Sequence, residues 1–163
     1  MSNWDKVRRD LEPSVREIAK IIENYDYSVK SADLTDRKIR KKLTNEARKA
    51  KETTLKITEL AYKDEESGVV NSLKEITDDI DVFINELDIK RIVYKDASDK
   101  LLKKIVKSDL LLIKGMDILN EMLRTTYEQT ISGRPGDVVR KAAEIRRNLG
   151  ELRSIFSERG ENV

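Results

Sequence analysis

Residues able to break a helix are scarce in this sequence, with 6 Gly and 2 Pro in 163 residues. Gly and Pro are the strongest local punctuation in a chain, so their scarcity dictates long regular elements. Between them the apolar residues recur at spacings of three and four, which gathers them on one face of a helix. These features together predict an all-α fold, an up-and-down bundle of about five long amphipathic helices built by residues 1–163 as one domain. A chain of this length buries a core without a metal or disulfide staple. Charged residues make up 39 % and hydrophobic residues 38 % of the chain, and the periodicity of the second set argues against disorder.

The first helix is expected from about residue 3 to residue 30, with Trp4, Val7, Leu11, Val15, Ile18, Ile22, Tyr25 and Val29 on its apolar face. Pro13 interrupts it in one of two ways: a kink, or a short helix that ends near Asp10 followed by a new one with Pro13 in its first turn. Tyr27 falls off this face, where a base or a protein partner can reach it. Ser31 to Thr35 reads as a turn, with Asp33 or Thr35 as the next N-cap. The second helix then runs to about Lys63 on Ile39, Leu43, Ala47, Ala50, Thr54, Ile57 and Ala61. The third carries Val69, Leu73, Ile76, Ile80, Phe83 and Leu87, a heptad-type seam that implies coiled-coil-like packing. Its phase slips afterwards, so an irregularity is expected between Asp88 and Ser98, with Ser98 capping the next helix.

That fourth helix, from about Asp99 to Thr130, confines Lys103, Lys107, Lys114, Asp117, Glu121 and Arg124 to one stripe. The remaining apolar arc spans roughly 240° at 100° per residue. Such a helix touches neighbours on two sides: it is the inner helix of the bundle or it carries an oligomer interface. Ser132 to Gly136 reads as a loop, with Asp137 capping a last helix on Val138, Ala142, Ile145, Leu149, Leu152 and Ile155 or Phe156.

The side chains that are missing limit the chemistry. There is no Cys, which removes disulfides, thiolate nucleophiles and Cys-based zinc sites. There is no His, which removes His-dependent triads and the Glu-x-x-His di-iron sites of helical bundles. No cofactor is expected, and catalysis is disfavoured. No apolar run approaches a membrane span, and none at the start reads as a signal peptide, so a cytoplasmic setting is expected. Lys, Glu and Ile are abundant and Gln129 is the sole Gln, a thermophile-like composition.

A net charge of +2 conceals strong segregation. Residues 37–51 hold eight basic side chains and one acid, residues 64–88 nine acids and one Lys, and residues 90–107 seven basic side chains and two acids. On the helical wheel Lys38, Lys42, Lys49 and Lys56 edge the second helix, and Glu75, Asp79 and Glu86 edge the third. A short corner makes these helices antiparallel neighbours, so structural pairing of Lys56 with Glu75 and of Lys49 with Asp79 is expected. Arg37, Arg40, Lys41, Arg48 and Lys51 have no acid row to answer them and form the candidate phosphate-binding or nucleic-acid-binding face. Glu75 and Asp79, one turn apart, are also a candidate oxygen-only site for Mg²⁺ or Mn²⁺. Arg134, in the loop that precedes the last helix, is a candidate anion contact.

The segment Ile39-Arg-Lys-Lys-Leu-Thr-Asn-Glu-Ala-Arg-Lys-Ala-Lys-Glu-Thr53 resembles the basic helical segments of translin-type nucleic-acid-binding bundles. The resemblance is confined to that segment, and the clustered-Glu metal motif of the nuclease members has no counterpart here. It implies RNA or DNA as the ligand of the basic face. Two functional expectations follow. The first is a non-catalytic helical-bundle interaction protein that self-associates or docks on a protein partner through apolar surface of the fourth or last helix. The second is a translin-like nucleic-acid-binding bundle that uses the basic face of the second helix.

Overall fold

The computed structural model of the chain describes residues 1–65, 67–89, 97–132 and 135–161. Its described residues form helices and connecting turns, with no strand. The helices are α1 (Asn3–Asp10), α2 (Glu12–Ala19), α3 (Ala32–Lys63), α4 (Ser67–Ile89), α5 (Asp99–Ile131) and α6 (Pro135–Glu158).

Of the two ways Pro13 could interrupt the first helix, the structure takes the second: a short helix ends at Asp10 and a new one carries Pro13 in its first turn. Ser2 opens α1 with a capping box: its Oγ accepts from the Asp5 N–H at 3.1 Å, and the Asp5 carboxylate accepts from the Ser2 N–H at 3.3 Å. Leu11 separates α1 from α2, and Pro13 stands in the first turn of α2, where its missing N–H removes no helical bond. The helical stretch stops at Ala19 rather than continuing to residue 30. The chain then bends through Asn24, whose φ is 56°, and Val29 is 90 % exposed instead of joining the core. Tyr27, expected on the outside, is buried with Tyr25. Thr35 caps nothing. Its hydroxyl donates to the Asp26 carbonyl at 2.6 Å and accepts from the Asp26 N–H at 3.3 Å, which ties the loop to α3.

From α3 onward the periodicity holds. Ile39, Leu43, Ala47, Ala50, Thr54, Ile57 and Ala61 are all buried, as are Val69, Leu73, Ile76, Ile80, Phe83 and Leu87. Ser98 caps α5 as expected, accepting from the Leu101 N–H at 3.0 Å. The expected irregularity between Asp88 and Ser98 falls mainly outside the described residues.

The four long helices form a ring in the order α3, α4, α6, α5, each packed on the next, and α1 and α2 lie along α5. Among these four, helices consecutive in sequence run antiparallel, with Arg40 beside Leu87 and Lys51 beside Asp81 for α3 and α4. The neighbours α3 and α5 run parallel, with Glu46 beside Asn120. The neighbours α4 and α6 also run parallel, with Asp79 beside Arg146 and Glu86 beside Arg153. α5 is therefore the inner helix, touching α1, α2, α3 and α6, and its wide apolar arc is used mainly within the chain. No helix among the described residues is long and apolar enough to cross a membrane.

Candidate functional site

Four segments converge on a buried polar cluster at the end of the bundle where α6 finishes. Arg159, just beyond α6, is its hub. Its Nε donates to Asp109 Oδ1 of α5 at 2.5 Å, its Nη1 to Asp36 Oδ1 of α3 at 2.6 Å, and its Nη2 to the Tyr27 hydroxyl at 2.8 Å. Tyr25 and Tyr27 both donate to Asp109 Oδ2, at 2.7 and 2.5 Å. Asp36 also accepts from Arg40 Nε at 3.0 Å. The two carboxylates and two guanidiniums balance in charge. Trp4 packs edge-on against both tyrosines, with ring centroids 6.1 and 5.8 Å away.

Burial pushes Asp109 above the ordinary carboxylate value, while Arg159 and the two tyrosines pull the other way. Burial, then the neighbouring Asp109 charge, lifts the Tyr25 phenol well above its usual range. The carboxylates, guanidiniums and phenols of the cluster are all hydrogen-bonded and tie four segments together, whereas the buried Trp4 indole N–H has no partner among the described residues. A signal for the cluster existed in the sequence: Asp109 interrupts the apolar arc of α5 on its inward side, between Val106 and Leu112. Arg159 likewise continues the α6 stripe one step past Phe156.

The candidate basic face divides. Arg40 is largely buried. Besides Asp36, its Nη1 serves the carbonyls of Leu87 and Asp88 at 3.2 and 3.4 Å, satisfying the last turn of α4. Lys51 bridges to Asp81 of α4 at 2.7 Å. Both point to the α4 flank of α3 and act in packing. Arg37, Lys41 and Arg48 stay exposed on the outer face of α3, and none has an ion pair among the described residues.

The acid row meets α6 rather than α3. Glu75 and Asp79 share one guanidinium, Arg146, whose Nη1 and Nε donate at 2.8 Å each, and Glu86 accepts from Arg153 at 2.7 Å. The expected pairs Lys56–Glu75 and Lys49–Asp79 do not form. Lys49 turns instead to Glu46 at 3.2 Å, and Lys56 is exposed. The reason is geometric: α4 has two neighbours, and its acidic edge lies on the α6 side. The Glu75–Asp79 pair therefore holds an internal cation in the place proposed for Mg²⁺ or Mn²⁺, and among the described residues no group of three or more acidic side chains is arranged to hold a metal. The Arg134 candidate lies outside the described residues.

A third buried carboxylate, Glu46, sits in the α3–α5 groove. It accepts from Lys42 at 3.1 Å, Lys49 at 3.2 Å and the Asn120 amide at 3.1 Å. Burial works to raise it, but the two lysines outweigh burial and hold it below the ordinary range.

Between α2 and α6 one strip of α5 faces outward. Leu111 and Ile118 lie on it, 56 and 55 % exposed, whereas most large apolar side chains of this helix are buried. Lys107 and Lys114 are exposed beside them, and Lys114 reaches Glu17 of α2 at 3.1 Å. No protein-family model matches the chain, and no curated protein or solved structure matches it either.

Proposed function

We propose that this chain is a non-catalytic helical-bundle interaction protein, self-associating or docking on a protein partner through the outward strip of α5. The observation that carries the reading is Leu111 with Ile118: two large apolar side chains, seven residues apart, more than half exposed in the middle of the inner helix. Seven residues are two helical turns, so both present to the same partner. The buried clusters support it in a second way, because they leave the ionisable groups of the interior engaged in packing. Sedimentation velocity of the wild type and of the Leu111→Asp/Ile118→Asp variant tests the strip. Association that disappears in the variant is the expected result. Association that persists in it assigns the interface elsewhere. The cytoplasm is the proposed compartment, on the sequence reading alone.

A second reading is favoured by Arg37, Lys41 and Arg48, exposed in one row on α3 with no ion pair among the described residues. In it the row contacts the phosphates of RNA or DNA. Fluorescence anisotropy of labelled single strands at two salt concentrations is the test, with charge reversal at the three positions as control. Binding that weakens steeply with salt and vanishes in the variant supports it, and no binding at low salt removes it.

A further inference from the structure

The exposed side of α5 carries a column of five charges at intervals of seven: Lys100, Lys107, Lys114, Glu121 and Glu128. Leu111 and Ile118 run beside it at the same interval. The column is basic in its first half and acidic in its second, with Lys114 at its centre. We propose that the occupant of the α5 strip is a second copy of this chain, its α5 running antiparallel to the first about a two-fold axis at Lys114. This rests on the strip reading above and names the partner.

The argument is one of self-complementarity. A two-fold interface must match one patch to itself reversed. Reversing the column about its centre sets Lys100 against Glu128 of the copy and Lys107 against its Glu121. The same reversal brings Leu111 within one residue of Ile118 of the copy, close enough for the apolar pair to cover itself. A parallel pairing would instead set Lys on Lys and Glu on Glu, which opposes association. At the axis the two Lys114 ammoniums approach each other, and each already has a carboxylate, Glu17, at 3.1 Å. A seven-residue column drifts by about 20° per heptad on a straight helix, a drift that a partner crossing at about 20° follows. Among the described residues Glu121 and Glu128 are held only by the exposed Arg124 of their own helix, so they can turn to a partner at little cost.

Two charge-reversal variants test this: Lys100→Glu/Lys107→Glu and Glu121→Lys/Glu128→Lys. Sedimentation equilibrium should find the wild type dimeric. Each variant alone should associate at least about tenfold more weakly. Mixing the two should restore a heterodimer, because every pair across the axis is then opposite in sign. Circular dichroism confirms that both variants fold. In this Cys-free chain, Lys114→Cys should crosslink to its own copy on oxidation. Crosslinking by Lys100→Cys alone would mean a parallel pair and overturn the arrangement. A wild type that stays monomeric overturns the second copy as occupant. Association lost in Leu111→Asp/Ile118→Asp but indifferent to charge reversal overturns the antiparallel copy and leaves the strip reading standing. Association indifferent to both sets of changes overturns the two together.

Discussion

Arg159 and Asp109, fifty residues apart, meet through a 2.5 Å hydrogen bond with their side chains 1 and 0 % exposed. A buried ion pair adds little net stability over well-packed apolar groups, because desolvation offsets the attraction. Removing one partner is a different matter, since it strands the other charge. Arg159→Met should therefore cost about 3–5 kcal/mol in urea unfolding, and Asp109→Asn a comparable amount. The double variant should cost less than the sum of the two, by a coupling of about 0.5–3 kcal/mol. Strictly additive losses would mean that the pair does not act as a unit.

The same cluster sets an alkaline limit. Tyr25 keeps its proton in the folded chain well past the pH at which an unfolded tyrosine loses it, near 10. Above that value the unfolded state binds fewer protons, so stability falls as pH rises. Tyrosinate absorbance and the fluorescence of Trp4, the one Trp of the chain, should change together as the fold opens. Tyr25→Phe should weaken this coupling. Ionisation of Tyr25 with Trp4 emission unchanged would contradict the burial described.

On the acid side two carboxylates act in opposite senses. Glu46 is held below its ordinary value of 4.5, so its contribution is present above that value and is lost as pH falls through the lowered pKa. Asp109 is raised above 3.8, so ionising it costs stability, and that cost enters as pH climbs through the raised pKa. Glu46→Gln should flatten the fall in melting temperature on acidification. Asp109→Asn should steepen it. Identical slopes for the two variants would be inconsistent with these environments.

Two helical glycines should respond to alanine with opposite signs. A Cβ at Gly150 meets nothing within 4 Å, so Gly150→Ala should stabilise by about 0.5–1 kcal/mol through helix propensity. A Cβ at Gly115 would overlap the Leu152 side chain, which is itself buried. Displacing Leu152 costs about 1–3 kcal/mol, more than propensity returns, so Gly115→Ala should destabilise. Thermal unfolding of both variants checks the pair.

The stripes of α3 to α6 were legible because burial there follows helical period alone, from Ile39 through Phe156. The end of α2 was not. No Gly or Pro marks residues 20–31, and the chain leaves the helix where Tyr25 and Tyr27 reach Asp109 and Thr35 holds Asp26. Those are contacts with distant elements, invisible to local period. The partners of the acid row were missed because a wheel shows which edge a charge occupies but not which neighbour lies beyond it. Arg40 and Lys51 looked free for the same reason, since α4 stands on their side of α3. Arg37, Lys41 and Arg48 lie on the face that α4 leaves open.

The ring order of the four long helices has a consequence for how the chain assembles. The α3–α4 and α5–α6 hairpins are local and can zip early, whereas the parallel contacts between them must wait for both. Asp36 emerges 123 residues ahead of Arg159 during synthesis, and Asp109 fifty ahead. Until Arg159 arrives, closing the bundle would bury carboxylates short of a counter-charge. The position of Arg159 in the sequence would thus make closure of the buried cluster coincide with delivery of α6.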